Sequence, residues 1–80
     1  MKTTPYFRTR ALRKHPEIRR HYHQIETALT EALRVSPDPN QKGGTRRWIY
    51  LPEVDKYMRV VVLADGETIH NAFYDRGFKP

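Results

Sequence analysis

Two apolar runs joined by Ala64-Asp65-Gly66-Glu67 constrain this chain more than any other feature. KYMRVVVL before the join and ETIHNAFYD after it are rich in the β-branched and aromatic residues that suit a pleated, half-buried surface. An Asp-Gly pair between such runs is a strong hairpin signal. A two-residue type I′ turn needs positive φ at both central positions, which Asp and Gly tolerate. With Asp65 and Gly66 as the loop, Val62 faces Ile69, Val61 faces His70, Met58 faces Phe73 and Tyr57 faces Tyr74. The turn therefore assigns every side chain to a face. Met58, Val60, Val62, Ile69 and Phe73 make one face oily, with Asn71 as a misfit on it. Tyr57, Arg59, Val61, His70 and Tyr74 occupy the other.

TRRWIYL upstream reads as a third strand, entering through a four-residue loop at Pro52-Glu53-Val54-Asp55. Pairing Leu51 with Lys56 sends Ile49 to the side of Met58, and sends Arg46, Trp48 and Tyr50 to the side of Tyr57 and Arg59. The strands are thus expected over residues 45–51, 56–63 and 67–75, as an antiparallel meander.

The N-terminal half reads as two helices. Thr4-Pro5 resembles an N-cap followed by Pro at the first helical position, opening a helix over 5–14 with Phe7 and Ala11 inward. His15-Pro16 marks a boundary, and a second helix is predicted over 16–34. Its stripe is Ile18, Tyr22, Ile25, Leu29 and Leu33, widened by Ala28 and Ala32. SPDPNQKGG then reads as a loop over 35–44 that can reach over a site or serve as a plain linker. The tail after Asp75 leaves the sheet, with Phe78 able to tuck back onto the core. The expectation is one α+β domain over residues 1–80, with two N-terminal helices on one face of a three-stranded antiparallel meander.

Composition narrows the function classes. There is no cysteine, so no disulfide and no thiolate nucleophile is available. No apolar run approaches the roughly 20 residues of a membrane span, and no apolar signal segment opens the chain, so a soluble cytoplasmic protein is expected. The net charge is +6, and the excess is uneven. Eight Lys and Arg stand against three Glu through Arg34, while seven face six acids from residue 35 onward. A basic N-terminal half, with Arg13 and Arg20 among its cations, points to RNA, DNA or an acidic protein as partner. A merely solvated basic face is the plainer alternative.

His21 and His23 diverge at i and i+2 on a helix, and read as solvent-facing histidines rather than metal ligands. No metal or cofactor is expected. The face bearing Arg46, Trp48, Tyr50, Lys56, Tyr57, Arg59, His70 and Tyr74 is the better candidate. Its rings can stack on splayed bases, and its cations can pair with phosphates. Histidine titrates near neutral pH, so His70 or Tyr74 can handle protons while Arg59 and Arg76 supply positive charge. Tyr, Trp and Arg are also ordinary strand residues that cover one another, so the same face admits a purely structural reading.

RRWIYLPEVDKYMRVVVLADGETIHNAFYDRGF, from Arg46 to Phe78, resembles compact bacterial toxins of the RelE and BrnT type. PYFRTRALRKHPEIRRHYHQIETAL resembles their helical part more loosely. The resemblance implies a metal-independent endoribonuclease acting on RNA, free or on the ribosome, with a cognate antitoxin as protein partner. It carries catalysis over to His70, Tyr74, Arg59 and Arg76, which occupy the matching strands. RelE itself begins with a strand, and none is expected here.

Overall fold

A computed structural model describes residues 1–80. The α+β class is observed, but the sheet has five strands rather than three. They are β1 (Lys2–Thr3), β2 (Arg34–Pro37), β3 (Thr45–Leu51), β4 (Lys56–Val62) and β5 (Thr68–Tyr74). Their spatial order is β1-β5-β4-β3-β2, with β1 parallel to β5 and every other pair antiparallel.

The β3–β4 hairpin follows the sequence pattern. Leu51 pairs with Lys56, Tyr50 with Tyr57, Ile49 with Met58 and Arg46 with Val61. Its loop closes through the Val54 N–H donating to the Leu51 carbonyl, and Asp55 takes φ 51° at the exit. Asp tolerates that left-handed conformation better than most residues.

The β4–β5 hairpin departs from expectation twice. Gly66 has φ 74° but Asp65 is not in the left-handed region, so the turn is not type I′. Instead the Gly66 N–H donates to the Leu63 carbonyl, and Asp65 Oδ1 accepts the Glu67 and Thr68 amides. The second departure is larger. Val62 pairs with Ile69 as expected, but Val61 then pairs with Asn71, leaving His70 as the extra residue of a β-bulge. Every later pair shifts by one: Val60 with Ala72, Arg59 with Phe73 and Met58 with Tyr74. The bulge removes the Asn71 misfit, because Ala72 takes the buried place and is 0% exposed. It also moves Phe73 off the core face and turns Tyr74 onto it.

The helical half is more broken than two regular helices. A π-helical turn (Phe7–Ala11) runs into α1 (Leu12–Lys14), and the Phe7 amide donates to Thr4 Oγ1 as the sequence cap implies. After Pro16 come α2 (Glu17–Arg20), α3 (Tyr22–Ile25) and a 3-10 turn (Glu26–Leu29). The break between α2 and α3 lies at His21, with φ −115° and ψ 23°. His21 is buried, not solvent-facing. Its Nε2 meets Tyr74 Oη at 2.6 Å and its Nδ1 meets Gln24 Oε1 at 2.9 Å. Holding that ring against the sheet shifts the helical phase, so Ile18, His21, Ile25 and Ala28 face inward while Tyr22 and Leu33 are exposed.

The helix predicted to residue 34 ends at Leu29, where Arg47 on β3 donates from Nη1 to the Leu29 carbonyl at 3.1 Å. Such a donor satisfies a carbonyl that a helix end leaves open. The chain then forms β2 as an edge strand, so the first residues of the expected loop belong to the sheet. Pro37 is tolerated at its end because an edge position needs no outward amide. Phe7, Ile18, Ile25, Ile49, Leu51, Met58, Val60, Val62 and Ile69 form the core between the helical layer and one sheet face. Each contributes about 1.5–3 kcal/mol when fully buried. The opposite sheet face carries no helix. No helix is long and apolar enough to cross a membrane.

Candidate functional site

The open face divides into two halves. In the lower half, Trp48 on β3 and Arg59 on β4 are cross-strand neighbours, and both reach Asp75 just beyond β5. Trp48 Nε1 donates to Asp75 Oδ2 at 2.9 Å, and Arg59 donates to the same oxygen from Nε at 3.1 Å and Nη2 at 3.0 Å. Burial pushes the Asp75 pKa up, but the Trp48 and Arg59 hydrogen bonds, the Arg59 charge and the Gly77 amide outweigh it. The carboxyl is held below its ordinary value.

The C-terminal tail closes this half. Phe78 does not tuck onto the core; it stacks on Trp48 with centroids 5.0 Å apart and planes 14° apart, and it lies 5.1 Å from Tyr57. Arg34 on β2 lies over the Phe78 ring at 5.0 Å. Tyr50 packs on Tyr57 and donates to Asp55 Oδ1 at 2.6 Å. Trp48 and Tyr57 are therefore already stacked, and Arg59 is already paired.

The upper half is open. A cleft of about 400 Å³ lies between β3, β4, β5, the start of the chain and the loop after β2. Its walls include His70, Arg46, Tyr6, Asn71 and Phe73, with Asp38, Asn40 and Gln41 entering from the loop and Arg59 at its border. The bulge places His70 and Asn71 together here, both off the core face. Loop closure is tight: a Cβ on Gly44 would lie 2.9 Å from the Val62 carbonyl oxygen, so glycine lets the loop fold against β4.

His70 is fixed from one side only. Its Nδ1 lies 3.0 Å from Thr4 Oγ1, and its ring stacks on Tyr6 at 4.8 Å with planes 24° apart. Nε2 has no protein partner. Arg46 stands 3.4 Å from Asp38 through Nε, yet that buried Nε makes no hydrogen bond. An imidazole with one free nitrogen, in a cleft that a guanidinium also lines, can move a proton near a fixed positive charge.

The residues singled out from sequence are thus distributed over several places. His70 and Arg46 share the cleft. Trp48, Tyr50, Tyr57 and Arg59 are engaged in the lower half. Tyr74 was expected beside His70, but the bulge turns it to the helical face, where it meets His21 and where Lys56 lies 5.6 Å above its ring. Arg76 is exposed in the tail, near Lys56 and Tyr57 rather than His70. Arg13 and Arg20 are exposed on the helical segments without a carboxylate partner. Catalysis by His70, Tyr74, Arg59 and Arg76 together is not what this arrangement offers.

Sequence reasoning missed Tyr6, Asp75 and the polar loop side chains. Asn71 carried the signal for the bulge, since an amide that fits no apolar face asks for a change of register. Asp75 had none, because its partners lie on two other strands. No group of three or more His, Asp or Glu side chains is arranged to hold a metal ion. Comparison with protein-family models, curated proteins and solved structures finds no match.

Proposed function

We propose that this chain is a toxin-like endoribonuclease of the RelE and BrnT kind, working in the cytoplasm on single-stranded RNA in the cleft around His70. The observation that carries the reading is His70 itself. Its ring is oriented by Thr4 and Tyr6, its Nε2 is unpartnered, and the Arg46 guanidinium lines the same cleft.

RNA cleavage without a metal needs a base at the 2′-hydroxyl and a cation at the phosphorane. When Nδ1–H donates to Thr4 Oγ1, Nε2 presents a lone pair and takes the 2′-proton. The 2′-oxygen then bonds to phosphorus, and the bond to the 5′-oxygen breaks. The positive charge of the Arg46 guanidinium in the cleft wall offsets the charge gathering on the phosphoryl oxygens. Tyr74 faces the helices, so water protonates the leaving oxygen. The products are a 2′,3′-cyclic phosphate and a free 5′-hydroxyl. An acidic antitoxin would complement the basic surface and hold the activity in check.

The test is cleavage of single-stranded RNA by the purified chain in EDTA, with end-group analysis of the products. Cyclic phosphate ends are expected, and His70→Ala should lose at least about 100-fold in rate. Folded protein that leaves RNA intact and does not arrest growth on expression overturns the reading.

A second reading keeps nucleic-acid binding without catalysis, and the unpaired cations of the first helical segment favour it. There Arg13→Glu abolishes binding and His70→Ala changes nothing. A protein-interaction role for the same basic surface would instead show a specific protein partner and no salt-sensitive RNA affinity.

A further inference from the structure

Tyr6 lines two clefts at once. One holds His70; the other, of similar size, is walled by Tyr6, Arg10, Arg13 and Lys14. These four residues come to one surface where the π-helical turn runs into α1. Phe7 and Ala11, on the adjoining face, are 0% exposed and anchor the segment in the core. The three cations are therefore presented from a fixed backbone.

Their state differs from that of several other cations of the chain. Arg8, on the same segment, donates to Thr3, while Arg47 caps the Leu29 carbonyl, Arg59 is clamped by Asp75 and Lys2 pairs with Glu67. Arg10, Arg13 and Lys14 make no ion pair and no side-chain hydrogen bond. Three neighbouring like charges repel, and that cost is relieved when anions lie between them. An aromatic ring at the junction of two clefts also suits a base passing from one to the other.

We propose that the surface over Tyr6, Arg10, Arg13 and Lys14 is a second subsite, for the phosphates of a single-stranded RNA whose reacting linkage lies at His70. This rests on the ribonuclease reading for the position of the reacting linkage, but not for the binding of RNA phosphates. The substrate is then an RNA strand of several nucleotides, long enough to engage both clefts. A dinucleotide engages only one.

Single-stranded nucleic acid releases about 0.7 counterion for each phosphate neutralised, so three contacts give a salt slope of about 2. At 0.1 M salt they are worth on the order of 100-fold in affinity. The experiment compares the full chain with its Arg10→Ser, Arg13→Ser, Lys14→Ser variant on a 12-nucleotide single-stranded RNA and on a ribodinucleoside monophosphate. Binding of the 12-mer is read by fluorescence anisotropy over a salt series, and cleavage by kcat/KM. All three positions are exposed, so the variant should fold, which circular dichroism checks.

The variant should bind the 12-mer about 100-fold more weakly, with a salt slope lower by about 2. The advantage of the 12-mer over the dinucleotide in kcat/KM should shrink by a similar factor. Unchanged 12-mer affinity and slope overturn the subsite, even if both proteins cleave RNA. If neither protein cleaves but the variant still loses affinity and slope, the subsite stands and the ribonuclease reading falls.

Discussion

Arg46 and Arg59 lie on neighbouring strands and point from the same sheet face, yet their surroundings differ. Arg59 gives two hydrogen bonds to Asp75 and lies 5.0 Å from the Phe73 ring. Arg46 has a carboxylate at 3.4 Å but leaves a buried donor unused. The rings around them follow the same division. Trp48 and Tyr57 are covered by Phe78, whereas Tyr6 and His70 stack on each other at the edge of an open cleft. An aromatic-basic face is thus two things here: one half satisfies itself and so builds structure, and the other keeps capacity for a ligand. Residue type does not separate the halves. The hydrogen bonds to the acidic partner, made by Arg59 and not by Arg46 Nε, and the returning tail do.

The largest effect that can break this comparison is at His70. His70→Ala should lower RNA cleavage by about 10²–10⁴-fold, while Arg59→Gln should act mainly through stability. Rates measured on urea-checked, folded protein decide between them. If Arg59→Gln costs more in rate than His70→Ala, the open half is not the reacting half.

Next is Asp75→Ala, which strips the acceptor from Trp48 and Arg59 together. Leaving a partly buried guanidinium and an indole N–H unpaired should destabilise the fold by about 2–3 kcal/mol in urea titration. A loss under about 0.5 kcal/mol would mean that the clamp contributes no more than an ordinary surface pair.

How much of this was legible follows from where each constraint originates. The β3–β4 hairpin was readable because its loop, its alternation and its pairing lie within one short stretch from Thr45 to Val62. The bulge at His70 was visible only as the discomfort of Asn71. β1 has two residues and a parallel partner more than sixty positions away, so nothing local announces it. β2 was hidden by the prolines around it, one of which ends the strand. The break at His21 follows from a contact with Tyr74, a residue whose own orientation depends on the bulge. One unforeseen residue in β5 therefore separated Tyr74 from His70, and with them half of the expected site. The division of the open face depended equally on distant groups, since Asp75 and Phe78 lie outside the strands they satisfy.

A smaller effect is expected from Phe78→Ala, which uncovers Trp48 without touching its hydrogen bond. The stacked and cation-flanked ring should be worth about 1–2 kcal/mol. Trp48 is the chain's only tryptophan, so its emission reports this place alone and should shift to the red. If the variant also lost as much RNA affinity as the Arg10, Arg13, Lys14 triple change, the lower half would be binding RNA, and the two halves would no longer differ in kind.

The smallest effect is in the acid limb of stability. Asp75 titrates below its ordinary value of 3.8, so it stabilises the fold fully above that pH. The contribution is lost as pH falls through the depressed folded value, where the carboxylate takes up its proton. Asp65 is also lowered, to about 2, by the Thr68 hydroxyl and the Glu67 and Thr68 amides, and it adds to the same limb. Comparing urea midpoints of the wild type and Asp75→Asn from pH 7 to pH 2 isolates the clamp. The variant should start lower and fall less below pH 4, because its amide has no proton to gain. Parallel curves over that whole range would mean that Arg59 and Trp48 hold the neutral side chain as well as the charged one, and that the lower half is closed by shape and stacking rather than by its ion pair.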